Sequence, residues 1–250
     1  MTVHILATCR NDELLDNTLL VFDTIRVGFP TADVFVYGNS LFEGAEMLVM
    51  LACQQGGFRY ERLSLRSHGQ WIEALLDTQD DPFWICDTDI MFHGPVEHWF
   101  EANNQACWAG RFEPEYRDPV TKAIHMARLH PSLMWFNTGA LRAAIRGWPG
   151  LHEFFHSVER TLIRWSFIPF RGEIIFLDTM AGLFGAMPKR GRPFTTDQNG
   201  AFSHLYCGTY LDVACIDGLA ETHAAMKAGS INPAELLAAQ YRWFAEHRES

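Results

Sequence analysis

Asp87 and Asp89, separated by Thr88, follow the short apolar run Phe83-Trp84-Ile85-Cys86. That run shows no polar alternation, the pattern of a strand covered on both faces. In an extended backbone alternate side chains share a face, so the spacing predicts that both carboxylates project to one side while Thr88 points away. Gly94-Pro95 then interrupts the extended segment. Two acids on one face suit a hard divalent cation: Mg²⁺ or Mn²⁺ takes oxygen ligands, keeps some waters, and fills its shell with substrate phosphate oxygens. A bare Asp-x-Asp is equally a solvated strand end. The apolar lead-in favours the metal, because ligands of open α/β sheets gather beyond the carboxyl ends of the strands.

The segment Trp84-Ile85-Cys86-Asp87-Thr88-Asp89, continued by Ile-Met-Phe, resembles the metal-binding DxD segment of GT-A-fold nucleotide-sugar glycosyltransferases. Short motifs in order along much of the chain carry the resemblance, and they assign no subfamily. It implies a Rossmann-like α/β fold in one catalytic domain, a mostly parallel sheet flanked by helices. Residues 1–95 would form the nucleotide-binding part, 96–215 the donor-sugar and acceptor part, and 216–250 a C-terminal helical segment. The activity implied is transfer of a sugar from a UDP- or GDP-sugar to a carbohydrate or lipid-linked acceptor.

The same resemblance distributes roles. The turn Thr8-Cys9-Arg10-Asn11 would hold the nucleotide, Thr8 among its binding residues and Arg10 at the base or the diphosphate; a plain helix-capping loop is the alternative. Asn39, in Gly38-Asn39-Ser40, and His68, before Gly69, would also face the nucleotide-sugar, as would Thr88. Phe202-Ser203-His204-Leu205-Tyr206-Cys207-Gly208 resembles the late histidine motif, so the metal set would be Asp87, Asp89 and His204. An imidazole ligand leans the choice towards Mn²⁺ over Mg²⁺.

Trp135-Phe136-Asn137-Thr138-Gly139 resembles the element that places an amide beside the donor sugar. Asn137 offers a donor and an acceptor to a hydroxyl, and Gly139 lets backbone approach closely. Capping of the following helix by Asn137 or Thr138 is compatible with that role. Glu173 and Asp178 fall where related folds keep acids near the acceptor, and either is a candidate general base. Lys189, Arg190 and Arg192 lie in Met187–Gly200, the most loop-like stretch, where a cationic loop would close on a leaving diphosphate.

A competing motif is His152-Glu153-Phe154-Phe155-His156, which satisfies HExxH, the zinc-protease pattern. Its helical phase argues otherwise. Leu151, Phe154, Phe155, Val158 and Leu162 make one apolar stripe, and at ~100° per residue both histidines fall on its flank. A third reading keeps nucleotide-sugar binding without turnover.

The elements that must position these residues follow from the apolar pattern. Strands are expected at 3–7, 34–37, 59–65, 83–86, 106–112 and 133–136. Helices are expected at 12–27, 43–53, 70–76 and 96–102, after Asn137, from Asp178 to 187, and at 233–247. Residues 113–128 read as irregular. Alternating strands and helices mean right-handed βαβ units and a parallel sheet.

The 250 residues carry 48% hydrophobic and 20% charged side chains, ordinary for a globular domain. A formal charge of −10 argues against a broad nucleic-acid footprint, which needs a basic face. The six cysteines contain no CxxC, and several sit in expected strands. Buried thiols are therefore expected rather than a disulfide framework. With neither a charged apolar leader nor a membrane-length apolar run, a cytoplasmic location is expected, the inner membrane face being a second possibility.

Overall fold

The computed structural model describes residues 1–9, 12–64, 68–100, 106–117, 124–146, 158–160, 175–177, 179–194 and 200–204. They fall into two compact units, one built from Met1–Ser64, Ile85–Trp99 and the segment from Thr196, the other from Leu65–Trp84 and Phe100–Thr195.

In the first unit, β1 (Thr2–Ala7) pairs in parallel with β2 (Asp33–Asn39), and β2 in parallel with β3 (Arg59–Leu63). Helix α1 (Asp12–Gly28) makes the first crossover and α2 (Ala45–Gly56) the second. Of the stripe expected at Leu15, Leu19, Phe22 and Ile25, three residues are buried and Leu19 is half-buried, with Val21 buried beside them. Strand β4 (Phe83–Asp87) lies beside β1, giving the local order β4-β1-β2-β3. The order reverses between β1 and β4, which is the topological switch point where α/β sheets open a crevice for ligands. Phe83 to Cys86 are fully buried, as the unbroken apolar run requires.

The first unit also contains a two-stranded antiparallel ribbon of β5 (Ile90–Phe92) and β13 (Phe202–His204). Its anchor is the end of α1. The Phe92 N–H donates to Thr24 Oγ1 at 3.2 Å, and the Phe92 ring meets Phe29 edge-on at 5.4 Å. That ring occupies the space a Cβ on Gly28 would need. The Val96 and Glu97 N–H groups both donate to the Gly28 carbonyl, and the buried Glu97 carboxylate accepts from the backbone N–H and hydroxyl of Thr31. Where a helix is expected over 96–102, the described part, to Phe100, is a turn, with the Trp99 N–H donating to the Val96 carbonyl.

In the second unit, β6 (Trp108–Glu113) pairs antiparallel with β9 (Arg128–Phe136) and parallel with β12 (Gly191–Phe194); the order is β12-β6-β9-β4. The fold is thus α/β with a mixed, mostly parallel sheet flanked by helices. A smaller sheet joins β7 (Tyr116–Arg117), β8 (Ile124–His125), β10 (Val158–Arg160) and β11 (Ile175–Leu177), in the order β10-β11-β8-β7. Helices α3 (His68–Thr78), α4 (Thr138–Ile145) and α5 (Ala181–Ala186) complete the described elements. Arg142 of α4 donates to the Leu76 and Gln79 carbonyls at the end of α3, closing carbonyls that a helix end leaves open.

Two further expectations need correction. Residues 113–128, expected to be irregular, contain β7, β8 and the start of β9. The loop expected over 187–200 contains β12, which tolerates Pro193 because an edge strand need not donate on both sides. Cys9, Cys53, Cys86 and Cys107 are buried free thiols, as expected. No described helix is long and apolar enough to cross a membrane. The C-terminal segment 216–250 lies outside the described residues.

Candidate functional site

The acid pair is built differently from the sequence expectation. Strand β4 stops at Asp87, Thr88 and Asp89 form a turn, and β5 starts at Ile90. Asp87 and Asp89 are therefore not alternate residues of one extended run, and the shared-face argument does not hold. Their environments differ: Asp87 is half-buried, while Asp89 is 7% exposed. Both carboxylates still act on the Cys86 thiol. Burial pushes its pKa well above the ordinary range, and the negative charges of Asp87 and Asp89 push it further.

His204, on β13, is 2% exposed and stands across the ribbon from Ile90, the residue after Asp89. Its Nε2 lies 3.2 Å from Asp89 Oδ2. The carboxylate's second oxygen, Oδ1, is buried and has no hydrogen-bond partner among the described residues. An ionised carboxylate oxygen held out of water without a donor is costly unless a cation meets it.

The donor set of carboxylate plus imidazole fits a first-row divalent ion such as Mn²⁺. Among the described residues no three His, Cys, Asp or Glu side chains form a cage by themselves. A two-ligand corner is nonetheless ordinary for a cation that completes its shell with waters and phosphate oxygens.

At the adjacent strand ends, Ala7 of β1 is in register with Gly38 of β2, so Thr8 and Asn39 follow side by side. The two loops are joined by the Phe42 N–H donating to the Cys9 carbonyl at 2.8 Å. Thr8 is half-buried and Asn39 buried. Arg10 lies outside the described residues. The first unit thus places Thr8 and Asn39 at the ends of neighbouring strands, Thr8 just past β1 and Asn39 as the last residue of β2, and brings Asp89 to His204.

The second unit carries the other described candidates. Asn137 caps α4, its Oδ1 accepting from the Ala140 N–H at 3.2 Å, and Thr138 Oγ1 donates to the Asp81 carbonyl at 2.9 Å. Gly139 is exposed, and a Cβ there would meet nothing within 4 Å. The protein itself therefore does not require the glycine. His68 opens α3 and stacks on Trp71 with ring centroids 5.4 Å apart. Lys189 and Arg190 sit in an exposed turn entering β12, and the Arg190 carbonyl accepts from the Cys107 N–H. The Arg192 guanidinium lies 5.4 Å from the centre of the Phe100 ring. Glu173, Asp178 and the HExxH segment 152–156 lie outside the described residues.

Sequence reading did not find the frame that holds the ribbon: Thr24, Gly28, Thr31 and Glu97. Its only trace in the sequence is Gly28-Phe29-Pro30, which reads as a helix stop. That stop gives no hint of a partner such as Glu97, 66 positions beyond Thr31.

No protein-family model matches this sequence, and no curated protein matches it. Solved structures do match. A Bacillus anthracis structure described as a putative glucose-1-phosphate thymidylyltransferase in complex with a sucrose superposes with a TM-score of 0.52 at 11% identity, over 93% of this chain and 96% of that one. The galactosyltransferase LgtC, in complex with donor and acceptor sugar analogs, gives 0.48 at 9% identity, over 90% of this chain and 96% of that one. The match to an active-site mutant of LgtC spans 59% of that chain. The mannosyltransferase PcManGT from Pyrobaculum calidifontis, in complex with GDP-Man and Mn²⁺, gives 0.47 at 14% identity, over 98% of this chain and 80% of that one. At these identities the likeness is one of fold: a GT-A-like, Rossmann-like sheet.

Proposed function

We propose that this chain is a metal-dependent glycosyltransferase that moves a sugar from a nucleotide-diphosphate sugar to an acceptor hydroxyl. The observation that carries the reading is the buried Asp89–His204 pair, 3.2 Å apart, with Asp89 Oδ1 lacking a hydrogen-bond partner among the described residues. In this reading Asp89 and His204, with Asp87 nearby, hold Mn²⁺ or Mg²⁺. A cation bound there would neutralise negative charge on the departing diphosphate.

The remaining roles belong to side chains. Thr8, Arg10, Asn39, His68, Asp87 and Thr88 line the nucleotide-sugar, and Asn137 orients the donor sugar. Lys189 and Arg190 balance diphosphate charge. Glu173 or Asp178 accepts the proton of the acceptor hydroxyl as its oxygen bonds to the anomeric carbon. The bond from that carbon to the phosphate oxygen breaks, and the nucleoside diphosphate leaves with the electron pair.

Thermal unfolding with UDP or GDP, with and without Mn²⁺, tests this directly. One nucleotide should raise the midpoint only when Mn²⁺ is present, and Asp89→Asn should remove the effect while leaving the apoprotein midpoint near wild type. Equal stabilisation of wild type and Asp89→Asn would refute the metal assignment. Nucleotide binding without release of sugar or its transfer would favour a binding protein.

A further inference from the structure

We propose that the outer edge of β3, together with the outward face of α2, joins two copies of this chain about a two-fold axis. The first observation is α2 itself. It buries Ala45, Val49 and Cys53, one residue per turn, against the sheet. The opposite side of a surface helix is normally polar. Here it carries Met47, Leu48, Met50 and Leu51, exposed by 75%, 46%, 49% and 49%. Met47, Met50 and Leu51 line a groove of about 840 Å³ whose other wall includes Phe58 and Tyr60. A contiguous apolar patch of this kind marks a contact surface.

The second observation is the strand beside that groove. β3 is the last strand of its sheet order, bonded to β2 on one side, and its other edge has no described strand on it. Tyr60 and Arg62 both contact Glu46 of α2, at 3.1 Å and 2.9 Å, so they face the helix side. Alternation puts Arg59 and Glu61 on the other face, where the Arg59 guanidinium lies 5.0 Å from the centre of the Phe35 ring.

An edge strand can pair antiparallel with its own copy. Centring the axis on Tyr60 puts Arg59 of each copy opposite Glu61 of the other, on one face, and the two tyrosines opposite each other on the face of α2. Centring it on Arg59, Glu61 or Arg62 opposes that charged residue to its own copy. Of the registers centred on Arg59 to Arg62, the Tyr60 one alone is charge-complementary, and it brings the two α2 faces to the same side of the joined sheet. An isologous contact requires this self-complementarity. A strand edge of five residues falls short of the roughly 800 Å² per partner of a stable interface, so the helix face must take part. A lipid surface suits the face less well. Amphipathic membrane helices flank their apolar face with Lys and Arg, whereas α2 has no basic residue.

Analytical ultracentrifugation of the full chain over a concentration series decides the matter. Wild type should sediment at twice the chain mass. Arg59→Glu and Glu61→Arg should each weaken association by about tenfold or more, since each turns two favourable cross-strand pairs into like-charge pairs. The double variant Arg59→Glu/Glu61→Arg should recover it. Met47→Glu should abolish it with an unchanged circular dichroism spectrum. A monomer at every concentration, a dimer indifferent to the single charge reversals, or a monomer that floats with phosphatidylcholine vesicles would each overturn the proposal.

Discussion

His204 Nε2 and Asp89 Oδ2 lie 3.2 Å apart although 115 positions separate them in the chain. The contact exists because β5 and β13 are paired in the register Ile90↔His204, and because His93 and Gly94 N–H groups both donate to the Ala201 carbonyl. Both side chains are almost fully buried, so each is desolvated whether or not a ligand is present. Residues acting as one unit are not additive when removed. His204→Ala and Asp89→Asn should each reduce Mn²⁺-dependent nucleotide binding by more than about 100-fold, as loss of a first ligand exceeds the 10–100-fold cost of losing its supports. The double variant should be little worse than either single one. Calorimetric titration of Mn²⁺ into nucleotide-saturated protein measures all three; independent, multiplying losses would mean that the two residues do not share a ligand.

Asn137 and Gly139 separate scaffold from substrate. Asn137→Ala removes the cap on Ala140 N–H and should cost about 1 kcal/mol in urea unfolding. Gly139→Ala, in open space at a non-positive φ, should leave stability unchanged or raise it by up to about 0.5 kcal/mol. If a donor sugar approaches that backbone, Gly139→Ala loses turnover without losing stability. Unchanged kcat/KM would remove Gly139 from the sugar site.

His4 makes stability depend on acid. It is fully buried between Phe35 and Tyr37, with its Nδ1 3.1 Å from the Tyr37 hydroxyl oxygen, and burial lowers its pKa from 6.5 to about 4. The folded value lies below the unfolded one, so the unfolded chain binds the proton first. The stability due to neutral His4 is complete above about pH 6.5 and is withdrawn as pH falls towards 4. At about 1.4 kcal/mol per pH unit, the withdrawal is on the order of 3 kcal/mol. Urea unfolding at neutral pH and near pH 4.5 should show a smaller acid loss for His4→Phe than for wild type. Equal losses would assign acid sensitivity elsewhere.

Much of the fold was legible because burial writes a period into the sequence. Val3 to Ala7, Phe83 to Cys86 and the α1 stripe fall where apolar spacing put them, since strands and helices covered by the core cannot vary that pattern. Asp89 and His204, which the ribbon brings together, stood out in the sequence by residue type alone, one at a carboxylate-rich strand end and the other in a late histidine segment. Its geometry was not. Thr88-Asp89 turns rather than extending, and neither period nor propensity signals that, because the turn is fixed by pairing of β5 with a strand more than 100 residues away. The turn over 96–100, where a helix is expected to begin, was equally unreadable, because the bonds from Val96 and Glu97 to Gly28 are tertiary. Pro193 and its basic neighbours read as a loop because an edge strand needs few of the usual strand signals.

That tertiary frame supplies the last prediction. Gly28 ends α1 with no room for a methyl group, because the Phe92 ring fills the position and is itself held by Phe29 and Phe202. Gly28→Ala must push that ring away, and over-filling a packed contact costs about 1–3 kcal/mol. Phe92 is in β5, the strand directly after Asp89, so the displacement is passed along the ribbon to the Asp89–His204 pair. The variant should be less stable in urea and should also bind Mn²⁺ and nucleotide more weakly, at a temperature where it is fully folded. Thr24→Val, which removes the acceptor for the Phe92 N–H with little change of volume, should move binding in the same direction with a smaller loss of stability. Weakened binding in both variants makes α1 the support of the metal corner. Lower stability with unaltered Mn²⁺ affinity would make the Gly28–Phe92 contact a matter of core packing alone.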